Sequence, residues 1–124
     1  MLDNFTKVAQ FALQEGSVAC LVNENVDKYE RVSLVYMMVV NDEIKYIGKT
    51  IQGLIRPLSY HKNKVMIDVN KGINESCESG LSVDIYCRMF YDKLEFEGLE
   101  LDICEAYEQA LISKYKPEWN NHIR

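Results

Sequence analysis

A chain of 124 residues with 48% hydrophobic content is long enough for one compact domain with its own core. Its net charge of −5 argues against indiscriminate coating of nucleic acid. No apolar run of about 18 residues and no signal-type N-terminus is present, so a soluble cytoplasmic protein without membrane contact is expected.

The stretch DNFTKVAQFALQEG predicts a short amphipathic helix, with Asp3 or Asn4 as cap, Val8, Phe11 and Ala12 on one face and Gly16 as terminator. VACLV (18–22) reads as a short strand or extended segment, and a polar connection follows. Residues 1–32 are therefore expected as an N-terminal helical extension packed on a domain spanning 33–124. SLVYMMVV (33–40) and IKYIG (44–48) are strand-like runs separated by Asn41, Asp42 and Glu43, a hairpin signal that brings Tyr36 and Tyr46 into one local structure.

PLSYHKNKVMIDVNKG fits a helix with Pro57 at its first position and Gly72 just past its end. INESCESG reads as a polar loop, LSVDIYCRMFY (81–91) as a third strand and KLEFEG as a connection. Residues 99–116 carry apolar side chains near helical spacing, and Pro117 ends that helix. The order helix, strand, strand, helix, strand, helix predicts an α/β domain of the α+β kind: a small, mainly antiparallel three-stranded sheet flanked by helices, with an added N-terminal helix.

Four scattered cysteines lack any C-x-x-C pair and the histidines number two, so a zinc site is not expected and the thiols read as reduced core residues. Charge is sorted along the chain. Residues 44–67 hold Lys45, Lys49, Arg56, Lys62 and Lys64 and no carboxylate. Residues 92–108 hold Asp92, Glu95, Glu97, Glu100, Asp102, Glu105 and Glu108 against Lys93 alone. Such sorting predicts one electropositive face, suited to a polyanion, on an otherwise repelling surface.

Three pieces of sequence carry the chemistry: Tyr36 in the first hairpin strand, Tyr46-Ile47-Gly48-Lys49 ending the second, and E-x-x-L-I-x-K-Y-x-P-x-W-N from Glu108 to Asn120. Across residues 33–120 this pattern resembles the GIY-YIG endonuclease family, with LVY in place of the usual GIY. The resemblance implies a metal-dependent endonuclease acting on DNA in a bacterial or phage-infected cell. Glu108 would be the ligand for Mg2+ or Mn2+, and Tyr36 and Tyr46 would orient or deprotonate the attacking water. An arginine on the following helix would stabilise the phosphate, and His61 or Tyr60 would contact the leaving group or the water. Lys62, Lys64 and Asn120 complete the expected substrate-side set.

The bottom-up chemistry agrees with that assignment. Phosphodiester hydrolysis needs an activated water, charge stabilisation on the phosphoryl oxygens and help for the leaving oxygen, and one carboxylate suits a hydrated Mg2+ that keeps most of its waters. A phenol with its ordinary pKa of about 10 is a poor base at neutral pH, so a cation is expected beside it, and Lys49 is placed for that role. Gly48 is expected to let a phosphate approach the backbone closely.

The arginine is where this chain departs from the family pattern. Counting from Gly48 puts Arg56 and Tyr60 in the arginine and one-turn-later positions. Aligning Gly53-Leu54 with a common variant puts Pro57 and His61 there instead. If Pro57 opens the helix, Arg56 becomes its cap, and a phosphate there would meet both the guanidinium and the free helix amides. RNA is left open as a substrate, and double-strand cleavage would require a homodimer or sequential nicks. The alternative reading is a catalytically reduced relative that binds nucleic acid or a protein partner as an inhibitor or regulator.

Overall fold

Thr6–Gln14 (β1) and Ser17–Val22 (β2) form an antiparallel hairpin where a helix was expected. Val8, Phe11 and Ala12 are compatible with helical spacing, but Ala9, Phe11 and Leu13 also alternate along a strand, and residues Glu15 and Gly16 have successive φ of 51° and 84°. Two consecutive positive φ values are what a two-residue hairpin turn requires, so Gly16 serves a strand reversal rather than a helix end. The computed structural model describes residues 3–23, 29, 31–62, 66–91 and 93–120.

Leu34–Val40 (β3) is buried at every position and pairs with Glu43–Thr50 (β4) around Asn41 and Asp42, the expected hairpin. Ile55–Leu58 (α1) and Ile67–Glu78 (α2) follow. Val83–Met89 (β5) inserts between β1 and β3, giving the strand order β2-β1-β5-β3-β4 with every neighbour antiparallel. Leu94–Phe96 (β6) and Leu99–Leu101 (β7) pair only with each other. Ile103–Tyr115 (α3) and a 3-10 turn at Glu118–Asn120 complete the fold.

The expectation of an α+β domain with a mainly antiparallel sheet flanked by helices holds, but the sheet has five strands, two of them supplied by the N-terminal segment. One sheet face carries Phe11, Tyr36, Met38, Tyr46 and Ile85 and packs under Val69 and Ile73 of α2. The other carries Val35, Met37, Val39 and Ile47 and packs under Cys104 of α3. An unbroken apolar strand such as β3 is the signature of coverage on both sides. Among the described residues no helix is long and apolar enough to cross a membrane.

The helix expected from Pro57 to Gly72 is two helices out of phase with that reading. Pro57 is the third residue of α1, and Gly72 lies in the middle of α2, which runs on through the segment expected as a polar loop. Gly72 is tolerated there because a side chain would collide with the Trp119 indole lying across it. The helix expected from 99 is likewise shorter: Leu99–Leu101 is strand, and Asp102 caps α3 by accepting from the Glu105 amide at 3.1 Å.

In an open helix, Gly→Ala stabilises by about 1 kcal/mol. At position 72 the sign should reverse: Gly72→Ala overpacks against Trp119 and is expected to destabilise by roughly 1–3 kcal/mol in urea denaturation.

Candidate functional site

The register of β3 and β4 sets Tyr36 opposite Gly48 and Met38 opposite Tyr46, so the two tyrosines lie diagonally on one sheet face. Their ring centroids are 6.0 Å apart. A Cβ at Gly48 would lie 2.5 Å from Tyr36 Oη and 3.0 Å from Tyr46 Cε2. The glycine is thus needed for the Tyr36 phenol to lie over β4, a tighter requirement than the expected approach of a phosphate. Tyr60, in the turn after α1, closes the cluster with its hydroxyl 3.0 Å from that of Tyr36 and its ring 6.5 Å from that of Tyr46.

All three tyrosines are buried. Burial pushes the Tyr36 phenol well above its ordinary value, with Tyr46 and Tyr60 adding to the rise. Tyr46 is pushed up to about 12, chiefly by burial and then by Tyr60, while a hydrogen bond with Tyr36 pulls down, Glu108 pushes up and Arg56 pulls down. The cation expected to acidify a phenol does not do so. Lys49 is held by Glu105 at 3.3 Å and Asp102 at 3.9 Å on the N-terminal turn of α3. At neutral pH both phenols are therefore protonated.

Glu108 is a buried carboxylate on α3. Burial raises its pKa, with Glu105 adding to the rise. The Gln109 side chain, donating to Oε1 at 3.1 Å, and the Lys49 charge lower it. Glu105, one turn earlier, is exposed and paired with Lys49, whereas Glu108 is buried with Gln109 as its hydrogen-bond partner. Lys49 of β4 pairs with the N-terminal turn of α3 and lines one cleft with Arg56 of α1, which brings the three elements together.

The two arginine registers resolve in geometry. Pro57 is fully buried, whereas Arg56 is exposed and lines a cleft of about 350 Å³ with Lys49, Thr50, Ile51 and Gln52. Tyr60 joins the tyrosines, while the His61 ring packs on Phe11 of β1 at 5.0 Å. Strand β1 is two positions from β3, which carries Tyr36, roughly 10 Å at the usual strand spacing, so the His61 ring lies toward β1 while the Tyr60 ring lies among the tyrosines. Its Nδ1 is buried without a partner among the described residues, and burial, then Lys62, lowers its pKa. The cap arrangement expected for Arg56 is not formed. Leu54 occupies the cap, Arg56 is the second helical residue, and the Leu58 amide is already bonded to Leu54 O at 3.0 Å.

Asn120 is buried and bonded entirely to β4. Its Oδ1 accepts the Ile47 N–H at 2.9 Å and its Nδ2 donates to the Ile47 carbonyl at 2.8 Å. It holds the outer edge of the strand between Tyr46 and Gly48, a positioning role for both atoms of the amide. Lys45 is similarly tied to Glu118 at 3.0 Å and Glu43 at 3.3 Å. Lys62 is exposed beyond the Tyr60 turn, and Lys64 lies outside the described residues.

Three contributors had not been singled out from sequence. Asn70 and Asn74 of α2 donate to the backbone carbonyls of Tyr60 and His61 at 2.9 and 3.1 Å and so fix the turn that presents Tyr60. Their four-residue spacing puts both on one helix face, which was a readable signal. Gln109, which holds Glu108, had none, because neighbouring residues on a helix normally diverge.

No protein-family model matches the chain. It is 26% identical over 128 aligned positions to Endonuclease II of Enterobacteria phage T4, covering 94% of this chain and 90% of that protein. Among solved structures, a glutamate-to-alanine mutant of bacteriophage T4 EndoII superposes with a TM-score of 0.70 at 23% identity, over 94% of this chain and 91% of the other. The restriction endonuclease HPY188I, in complex with product DNA, superposes with a TM-score of 0.52 at 14% identity, over 98% and 78%. The fold is shared with these nuclease structures.

The raised phenol pKa values have a checkable consequence. In the unfolded chain a tyrosine ionises near pH 10, whereas Tyr46 in the folded chain does so near 12. The folded state thus binds more protons across that window, and stability is retained below pH 10 and lost as pH rises toward 12. The loss is about 1.4 kcal/mol for each pH unit over which only the unfolded chain ionises. Tyr46→Phe is expected to flatten that limb, read by urea melts at successive alkaline pH values.

Proposed function

We propose that this chain is a metal-dependent endonuclease of the GIY-YIG type that hydrolyses DNA phosphodiester bonds. The observation that carries this reading is the three-tyrosine cluster over Gly48 of β4, the strand whose Lys49 pairs with the helical turn preceding the buried Glu108 carboxylate and lines one cleft with the exposed Arg56 guanidinium. The similarity to phage T4 Endonuclease II along nearly the whole chain supports it, and HPY188I bound to product DNA supports DNA as the substrate. A phage-infected bacterial cell is the corresponding setting. The residues proposed as catalytic all fall between 33 and 120.

Whether the residues fit a divalent ion can be judged from the donor set. Among the described residues no group of three or more His, Cys, Asp or Glu could hold a metal alone. One desolvated carboxylate does fit a magnesium or manganese ion that keeps its waters and shares a substrate phosphate. Glu108 is the residue that would hold it, and a bound ion would supply charge neutralisation on the phosphoryl group and a more acidic water.

The remaining steps belong to the protein. Arg56 binds and neutralises a non-bridging phosphate oxygen at the cleft mouth. Tyr36 and Tyr46, kept protonated by burial, form with Tyr60 a linked set of hydroxyls that orients the attacking water. Tyr60 rather than His61 takes the position one turn after the arginine. Lys49 answers to Glu105 and Asp102, and substrate phosphate would compete with these for it. That pairing favours a second reading, a nucleic-acid or protein binder with reduced catalysis. One active site per chain cuts one strand, so a double-strand break calls for a second copy.

The deciding experiment incubates supercoiled plasmid with Mg2+ or Mn2+ and wild-type protein, Glu108→Gln or Arg56→Ala. Wild type should nick and chelator should stop it. Each variant should lose on the order of 100-fold or more in rate. Equal nicking by wild type and Glu108→Gln would sink the assignment, and silence from all three would favour the binder.

A linked stability measurement uses the raised Glu108 pKa. Because the folded state prefers the protonated carboxyl, the ionised form destabilises the fold once pH rises above the ordinary value of 4.5. Glu108→Gln should therefore melt higher than wild type at pH 7 without metal, and the gap should close in acid.

A further inference from the structure

We infer that Ile51 and Ile55 form an apolar wedge that enters the groove of duplex DNA beside the candidate active site and unstacks the base step next to the reacting phosphate; this rests on the nuclease reading above. Both side chains are β-branched and stiff, and they are 67 and 68% exposed. Ile51 lines the cleft of about 350 Å³ with Lys49, Thr50, Gln52 and Arg56, and Ile55 immediately precedes Arg56 on α1. The turn that displays them is anchored along its length. The Gln52 amide donates to Thr50 Oγ1 at 3.0 Å, the Gly53 amide donates to the Val32 carbonyl at 3.3 Å, and Leu54 and Pro57 are buried. The two isoleucines therefore project from a held frame. A single exposed isoleucine is ordinary, but two on one anchored turn, at the rim of a cleft with two cations, call for an occupant.

Charge and position select duplex DNA. The cleft lining holds Lys49 and Arg56 and no carboxylate, and none occurs in the sequence from 44 to 67. Such a rim draws a polyanion, and two isoleucines offer far less area than a specific protein interface buries. Ile51 is three residues beyond Gly48, over which the Tyr36 phenol lies, so its backbone is no more than about 11 Å from that point. That reach is comparable to the depth of the minor groove, about 7.5 Å. A phosphate held by Arg56 thus sets the isoleucines at the adjacent groove, and inserted apolar side chains part base steps there and kink the duplex. The deformation is easiest at flexible pyrimidine–purine steps such as TA. The wedge therefore gives a preference among cutting sites without a hydrogen bond to any base.

The test removes the wedge at two exposed positions, so Ile51→Ser with Ile55→Ser should fold with an unchanged urea midpoint. On a short TA-rich duplex with Mg2+ the double variant should nick more slowly than wild type by about 10- to 100-fold. Mismatches at the TA steps, which are already easy to open, should restore most of its rate. The leucine pair, Ile51→Leu with Ile55→Leu, should nick the matched duplex nearly as fast as wild type. Binding is read separately with Glu108→Gln: a fluorescent adenine analogue at the matched TA steps should brighten on unstacking, and adding the two serines should abolish the signal. Serine variants that nick the matched duplex at the wild-type rate, or that are equally slow on matched and mismatched duplex, overturn the wedge. So does an analogue that stays dark, whether or not wild type cuts, and so does capture of vesicles of anionic lipid that depends on the isoleucines. If the analogue brightens through the isoleucines but no form cuts DNA, the wedge stands and the catalytic reading falls.

Discussion

The site depends on one register. Tyr36 stands opposite Gly48, and the missing side chain there lets a phenol from one strand lie across the next. A slip of one residue between β3 and β4 would turn Tyr46 to the face covered by α3 and put a side chain under Tyr36. The register is held from both sides. The Asn41–Asp42 turn sets it at one end, and Asn120 fastens Ile47 midway along the outer strand. The catalytic geometry proposed here thus inherits its precision from a hairpin and one amide, not from a loop.

Electrostatics divides the site into two parts that balance differently. The tyrosines are buried among one another, and burial holds Tyr36 and Tyr46 neutral, which suits them to ordering a water. Glu108 is buried with an amide rather than a cation as its immediate partner, so it retains a preference for positive charge. Lys49 meets that preference only at a distance, because Glu105 and Asp102 on the α3 N-terminal turn hold it. A carboxylate whose burial is only partly offset is costly in a resting fold. It becomes comprehensible if a cation arrives with the substrate.

How far the sequence discloses this follows from which signals are local. The hairpin at 33–50 is legible because its turn and its apolar runs lie together, and the Glu108-to-Asn120 block is legible only through its resemblance to a family pattern, since an acidic residue on a helix is otherwise ordinary surface. The N-terminal strands are not, since Val8, Phe11 and Ala12 satisfy a helix as readily as a strand and only the pairing with β5 decides between them. Pro57 and Gly72 mislead for a related reason. Each obeys the usual rule for a helix end, yet tertiary contact gives each a different role, since Pro57 fills core and Gly72 admits Trp119. The choice between Arg56 and Pro57 could not be made along the chain because a helix only four residues long gives periodicity too little room.

Asn120 also gives the sheet a direction. By offering its amide to Ile47 as a neighbouring strand would, it closes the β4 edge with a single side chain. Strands exposed at a sheet margin invite pairing with other chains, and a margin beside an active site would set such pairing against substrate. Here the edge nearest the tyrosines is stoppered from within the same polypeptide, at a point where a sixth strand would otherwise fit. The molecule can therefore keep a flat, hydrogen-bonding margin alongside its reactive groups without that margin acting as a template.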